Sequence, residues 1–320
     1  MAEIKQNSPR AWLLAARPKT LSAALIPVMV AAALATRAPR CSWRALVICA
    51  LFASLMQIAA NFINDLYDFL KGTDRDDRLG PERACAQGWI SPHAMRWGIA
   101  VVLALALICG SLILIYGQWS MVNGQWSMVA LGAACVVFAF LYTTILSYAG
   151  MGDLMVLLFF GLVPCCGTYF AATGTLTGQA WLAGFTCGVL IATLLILNNY
   201  RDRDTDRLSG KRTLIAVMGE KFGRYFYLIC GIAAWALTFF MELGVTSEEL
   251  GINGQWSIVN GQWSILLIPL ILTPYLILHI HTWRQMVRIR QGRALNHILG
   301  LTSRNMLIFG LLLSAALALL

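Results

Sequence analysis

Residues 44–68 read RALVICALFASLMQIAANFINDLYD, and the stretch changes character between its two ends. Twenty residues separate Arg44 from Asp65, and none of them carries a charge. That is the length a helix needs to cross the hydrocarbon core of a bilayer. The far end then turns polar. Asn61, Asn64, Asp65 and Asp68 fall at i, i+3, i+4 and i+7, one face of a continuing helix. Such a helix would carry two carboxylates and two amides to the membrane boundary.

The apolar character recurs along the chain, which is 59% hydrophobic and 12% charged, against about 25% charged in an average soluble domain. Runs at about 21–36, 44–63, 97–116, 128–147, 151–172, 180–199, 223–242, 263–282 and 303–320 predict nine transmembrane helices. The expected fold is an all-α integral membrane protein, a single transmembrane domain over 1–320. The first run has the length of a signal-peptide core and follows basic residues, but eight further spans favour an uncleaved first helix.

The net charge of +9 reports topology. With a cytoplasmic N-terminus the inside segments are 1–20, 64–96, 148–150, 200–222 and 283–302, with their flanks. Of 24 Lys and Arg residues, only Arg37, Arg40 and Arg44 lie elsewhere. This is the positive-inside asymmetry. It predicts a multi-pass protein of the inner (cytoplasmic) membrane, partnered by the lipid bilayer and by no nucleic acid. The loops 64–96 and 200–222 contain eight of the nine aspartates, so the active site is expected to face the cytoplasm. Seven cysteines fall within apolar runs and no C-x-x-C pair occurs, which reads as buried apolar thiols and neither disulfide, zinc nor redox chemistry.

Two segments, GQWSMVNGQWSMV at 117–129 and GQWSIVNGQWSI at 254–265, are tandem seven-residue repeats at the expected outer ends of helices. Interfacial tryptophans of an aromatic belt account for their placement, and no function attaches to the doubling itself.

A second acidic constellation closes the sixth span: Asn198-Asn199-Tyr200-Arg201-Asp202-Arg203-Asp204-Thr205-Asp206, then Gly210-Lys211-Arg212-Thr213. Asn198, Asp202 and Asp206 are each one helical turn apart, while Asp204 points elsewhere. One such loop reads as a solvated, salt-bridged connection. Two of them, each starting on a membrane-embedded Asn–Asp face, read as a site, because ionisable groups at the edge of a bundle are costly. Clustered carboxylates repel unless a cation is present, and oxygen ligands without nearby His or Cys point to Mg²⁺. Lys211 and Arg212, with Arg201 nearby, offer cations for the oxygens of a diphosphate, though Lys211 and Arg212 also serve as topological anchors. A membrane setting suits a substrate with a long hydrocarbon chain.

The Asn-Asp-x-x-Asp segment at 64–68 and the Asp-x-x-x-Asp segment at 202–206 resemble the two signature motifs of the UbiA superfamily of intramembrane prenyltransferases. Other strings resemble its branch of 1,4-dihydroxy-2-naphthoate prenyltransferases: Arg17-Pro18-Lys19-Thr20-Leu21, Gly88-Trp89-Ile90-Ser91-Pro92, Asn198-Asn199-Tyr200-Arg201-Asp202 and Gly210-Lys211-Arg212-Thr213-Leu214. The resemblance implies nine helices around a central cavity open to lipid. It implies Mg²⁺-assisted ionisation of a polyprenyl diphosphate to an allylic cation, then attack by an aromatic acceptor, here 1,4-dihydroxy-2-naphthoate, with decarboxylation to demethylmenaquinone. By this assignment Asp65, Asp68, Asp202 and Asp206 are catalytic metal ligands. The superfamily places another aspartate where this chain has Gly72, and Asp74 stands in as a further ligand. Asn61, Asn64 and Asn198 support them, and Arg201, Lys211 and Arg212 hold diphosphate. Lys19 and Asp153 are candidates for the acceptor, whereas Tyr142 and Tyr148 read more readily as interfacial. A 4-hydroxybenzoate prenyltransferase is the nearest alternative. A secondary transporter would carry its acids near mid-membrane, and a CDP-alcohol phosphatidyltransferase lacks its motif here.

Overall fold

The structure, a computed structural model, describes residues 4–72, 79–119, 123–241 and 266–319, and every regular element within them is a helix. In chain order these are α1 (Pro9–Ala16), α2 (Pro18–Ala35), α3 (Trp43–Leu70), α4 (Pro92–Tyr116), α5 (Gly124–Leu146), α6 (Gly152–Thr173), α7 (Gly178–Leu208), α8 (Leu214–Met218), α9 (Glu220–Phe240), α10 (Thr273–Ile289) and α11 (Leu295–Leu319). Eight of them are long and apolar enough to cross a membrane. The expected span at 263–282 corresponds to helical residues 266–271 and the 17-residue α10, separated at Leu272.

Local chemistry sets the boundaries. Ser42, Ser91 and Thr177 cap α3, α4 and α7 by accepting from the amides of Ala45, Ala94 and Ala180. Pro18 and Pro92 occupy first-turn positions, where a missing N–H costs nothing. Helix α1 was not anticipated. It is capped by Ser8, and Trp12 packs on Phe62 with ring centroids 5.4 Å apart. Helices α3 and α7 outlast their apolar runs, reaching Leu70 and Leu208. At 31 residues α7 is about 46 Å long, well beyond the roughly 30 Å of a hydrocarbon core. Its last turns therefore carry Asp202 and Asp206 clear of the apolar part of the bundle.

Helices α2, α7 and α11 form the centre, with Ile26, Val30, Leu190, Phe309 and Leu313 in one core cluster. Between α9, α10 and α11 buried polar groups pair across helices. Tyr227 and Thr302 share a hydroxyl–hydroxyl bond of 2.8 Å, and Asn305 donates to Thr282 at 2.8 Å. Such bonds hold helices where lipid gives no hydrophobic drive between them. Helices α6 and α7 meet backbone to backbone: a Cβ on Gly161 would stand 2.5 Å from Gly188 Cα. Gly188→Leu is expected to cost about 1–3 kcal/mol by overpacking. It should lower the thermal midpoint in detergent, while Gly300→Leu, at an open position, should not.

Candidate active site

The acidic ends of α3 and α7 come together at one end of the bundle, and Tyr142 marks the meeting point. Its side chain lines one cavity with Asn64 and Asn198 and a smaller pocket with Asp153 and Lys211, so groups from α3, α6 and α7 meet beside it. Tyr142 opens a π-helical turn, Tyr142–Leu146, that ends α5. The extra residue in this turn re-aims Tyr142 and Thr143 inward, as such bulges do at functional sites. The Thr143 hydroxyl donates to Asn64 Oδ1 and ties α5 to α3. Tyr142 therefore belongs to the interior, not to an interfacial belt. The Lys71 ammonium lies 4.4 Å from the ring centroid of Tyr148, a contact that is compatible with an interfacial aromatic.

On α3 the four motif residues share a face, as their spacing requires, but they divide the work. Asn61 and Asn64 line a cavity of about 530 Å³ with Thr20, Gln57 and Asn198. Asn61 donates to the Ala16 carbonyl at 2.9 Å and to the Thr20 hydroxyl at 3.1 Å. Beyond this polar mouth the cavity is apolar, walled by residues such as Val156, Phe159, Phe160 and Ile191. Asp65, only 1% exposed, accepts 2.8 Å bonds from the amides of Ala84 and Cys85, one on each oxygen. Asp68 pairs with Arg83 at 2.5 Å. The loop after α3 thus folds back over the helix end and is fastened by both aspartates. Asp74 lies outside the described residues.

On α7, Asp202 is held by Arg201 through two bonds of 2.7 and 2.6 Å. Arg201 is 3% exposed and also donates to Asn296 Oδ1 at 2.8 Å. Three of its five N–H groups go to these neighbours, so it orients Asp202 and keeps two donors for a further acceptor. Asp204 is 65% exposed and turned away. Asp206 lies 3.9 Å from Lys211, and its Oδ2 is buried with no hydrogen-bond partner among the described residues.

Asp153, in the first turn of α6, has the same property at Oδ1. It shares a small pocket with Tyr142, Asn199, Lys211 and Thr213. Arg212 is exposed, and its amide donates to the Tyr148 carbonyl at 3.1 Å, docking the 210–213 loop on the turn before α6. Lys19 is exposed at the start of α2 and lines neither cavity, although its neighbour Thr20 does. Among the described residues no three acidic, His or Cys side chains form a closed metal-binding group. The buried Asp206 Oδ2, without a partner among the described residues, nonetheless suits a cation, because an unpaired buried acceptor is costly.

The model of the UbiA prenyltransferase family matches residues 24–248. The chain belongs to the UbiA prenyltransferase family. It is 34% identical over 223 residues to the 1,4-dihydroxy-2-naphthoate octaprenyltransferase of Haemophilus influenzae, covering 68% of this chain and 72% of that protein. It is 32% identical over 231 residues to the Escherichia coli protein of the same name, covering 71% and 74%. Among solved structures, the apo UbiA homolog from Aeropyrum pernix K1 matches with a TM-score of 0.63 at 19% identity, over 93% of this chain and 97% of that one. The UbiA homolog from Archaeoglobus fulgidus bound to GPP and Mg²⁺ matches at 0.57 and 17% identity, over 95% and 99%. These likenesses place the fold among UbiA membrane proteins.

The sequence reading missed Thr20, Gln57, Lys71 and Arg83. Thr20 and Gln57 carry no charge that would single them out, and Arg83 gains its role only when its loop folds back. The double capping by Asp65 has a measurable consequence. Asp65→Ala leaves two buried amides unpaired and is expected to destabilise the fold by about 2 kcal/mol or more. That should appear as a lowered thermal midpoint in detergent, whereas Asp204→Ala, at a 65% exposed position, should leave the midpoint within a degree or two of wild type.

Proposed function

We propose that this chain transfers a polyprenyl group from a polyprenyl diphosphate to 1,4-dihydroxy-2-naphthoate, with loss of the acceptor's carboxylate, to give demethylmenaquinone. The observation that carries this reading is the convergence of the two acidic helix ends on Tyr142, at the polar mouth of an apolar cavity. The names of the bacterial relatives support the choice of acceptor.

Asp68, Asp202 and Asp206 are assigned to the metal, with Asp74 and with Asp65, whose oxygens each keep a second lone pair. Bound Mg²⁺ would supply Lewis-acid neutralisation of the departing diphosphate. Lys211 and Arg212 hold diphosphate oxygens, and Arg201 orients Asp202. Asn61, Asn64 and Asn198 rim the mouth, so the diphosphate stays at the polar end while the hydrocarbon tail enters the apolar cavity. Excluding water there protects a cationic intermediate from hydrolysis. The pocket beside Lys211, of about 10 Å³, has room for one polar substituent of the acceptor, while the ring itself would lie in the larger cavity that Tyr142 also lines. In the smaller pocket Asp153 Oδ1, buried and without a partner among the described residues, would accept a hydrogen bond from an acceptor hydroxyl. The distribution of Lys and Arg supports a site facing the cytoplasm across the inner membrane.

Purified protein supplied with a polyprenyl diphosphate and Mg²⁺ is expected to prenylate 1,4-dihydroxy-2-naphthoate and not 4-hydroxybenzoate, read by mass spectrometry. The opposite result would reassign the acceptor. EDTA should abolish turnover and excess Mg²⁺ restore it. Asp202→Ala and Asp206→Ala should each lower kcat by at least about 100-fold in protein that remains folded. Asp153→Asn should raise the KM for the acceptor more than that for the diphosphate.

A further inference from the structure

The first repeated segment has no part in the chemistry proposed above, yet its two tryptophans are placed very differently. Trp126, at the start of α5, is 73% exposed, as an interfacial residue would be. Trp119 turns inward. Its Nε1 donates to the Leu114 carbonyl at 3.0 Å, and its ring meets Phe170 edge-on with centroids 5.8 Å apart. The preceding Gln118 amide donates to the Ala171 carbonyl at 2.9 Å, which pins this turn to α6.

The seven-residue period explains the slot that receives the ring. Gly117 and Gly124 are the same position in successive copies, and they flank one indole. A Cβ at 117 would stand 2.4 Å from the ring, and a Cβ at 124 would stand 3.4 Å from it on another edge. One copy supplies the ring and one wall; the next supplies the opposing wall. Doubling the heptapeptide therefore builds a seat that a single copy lacks.

The seat lies against the large cavity. Trp119 packs on a cluster containing Val28, Cys49 and Ile113, and these three also line the cavity. Along α3 the cavity wall runs from Cys49 to Asn64, a rise of about 22 Å. Trp119 does not itself line the cavity; it stands behind the wall made by Val28, Cys49 and Ile113, at the end opposite the polar mouth. Sideways the cavity is less confined: Leu107 on α4 and Val129 on α5 both line it and are 65% and 42% exposed.

We infer that Trp119 backs the floor of the hydrocarbon cavity, holding Val28, Cys49 and Ile113 in place, that it thereby sets the length of prenyl chain held inside, and that longer tails are diverted outward between α4 and α5. This rests on the reading that a prenyl diphosphate is the donor. The test therefore uses binding, which does not depend on the acceptor. Full-length protein in detergent with Mg²⁺ is titrated with geranyl, farnesyl and geranylgeranyl diphosphates, for wild type, Trp119→Ala, Trp119→Leu and Trp126→Ala. Opening the floor lets further apolar carbons be buried, so Trp119→Ala should raise the preference for geranylgeranyl over geranyl diphosphate by about tenfold. Trp119→Leu, which keeps an apolar side chain and guards against a folding defect, should shift it in the same direction by less. Trp126→Ala should keep the wild-type profile. A profile unchanged in both Trp119 variants, with wild type binding all three ligands, overturns the floor while leaving the donor assignment standing. A wild-type protein that binds none of the three overturns the donor assignment and the floor together.

Discussion

Bringing carboxylates from separate helices to one point at the edge of a membrane bundle is the constraint on which the rest of this structure depends. Like charges in a poorly screened setting repel strongly, and a buried charge without a partner costs several kcal/mol. The chain meets the difficulty locally. Asp68 has Arg83, Asp202 has Arg201, Asp206 has Lys211, and Asp65 has two backbone amides. Each acid is compensated by a residue from its own helix end or from the loop that follows it. The two halves of the site can therefore approach without mutual repulsion deciding the fold, and the oxygens left over on Asp153 and Asp206 face the interior.

Irregular backbone is concentrated where these groups meet. The π turn Tyr142–Leu146 closes α5 beside the acids, and a second, Leu158–Leu162, interrupts α6 where it passes α7. A regular helix would carry Thr143 past Asn64, whereas the bulge places its hydroxyl on the amide. The first bulge sets what lines the cavity's mouth, and the second carries Phe159 and Phe160 of its apolar wall.

Much of this was legible before any coordinates. Twenty uncharged residues ahead of Asp65 fixed a membrane helix, and i, i+4 spacing separated Asp202 and Asp206 from the outward Asp204. Spacing assigns a face, however, and not a partner. Asp65 lies on the expected face, yet its oxygens go to Ala84 and Cys85, because a buried turn leaves amides that must find acceptors. Arg201 was read as a diphosphate contact because it is a cation beside an acidic motif, but Asn296, distant in sequence, claims part of its guanidinium. From sequence alone Tyr142 and Trp119 read as belt aromatics, since hydropathy reports depth in the membrane and carries no information on a π turn or a slot between two glycines.

The bond from Arg201 to Asn296 continues further, for Asn296 also donates to the carbonyl of Leu79 at 2.7 Å. One amide at the head of α11 thus clasps the loop after α3 to the second acidic helix, across 217 residues of sequence. A chain made and inserted from its N-terminus holds both acidic segments long before this amide exists. Until α11 arrives, the loop and α7 lack that common tether, so the last helix completes the assembly of a site to which it contributes no acid. Truncated chains and stalled insertion products then have both halves of the acidic site without the clasp that joins them.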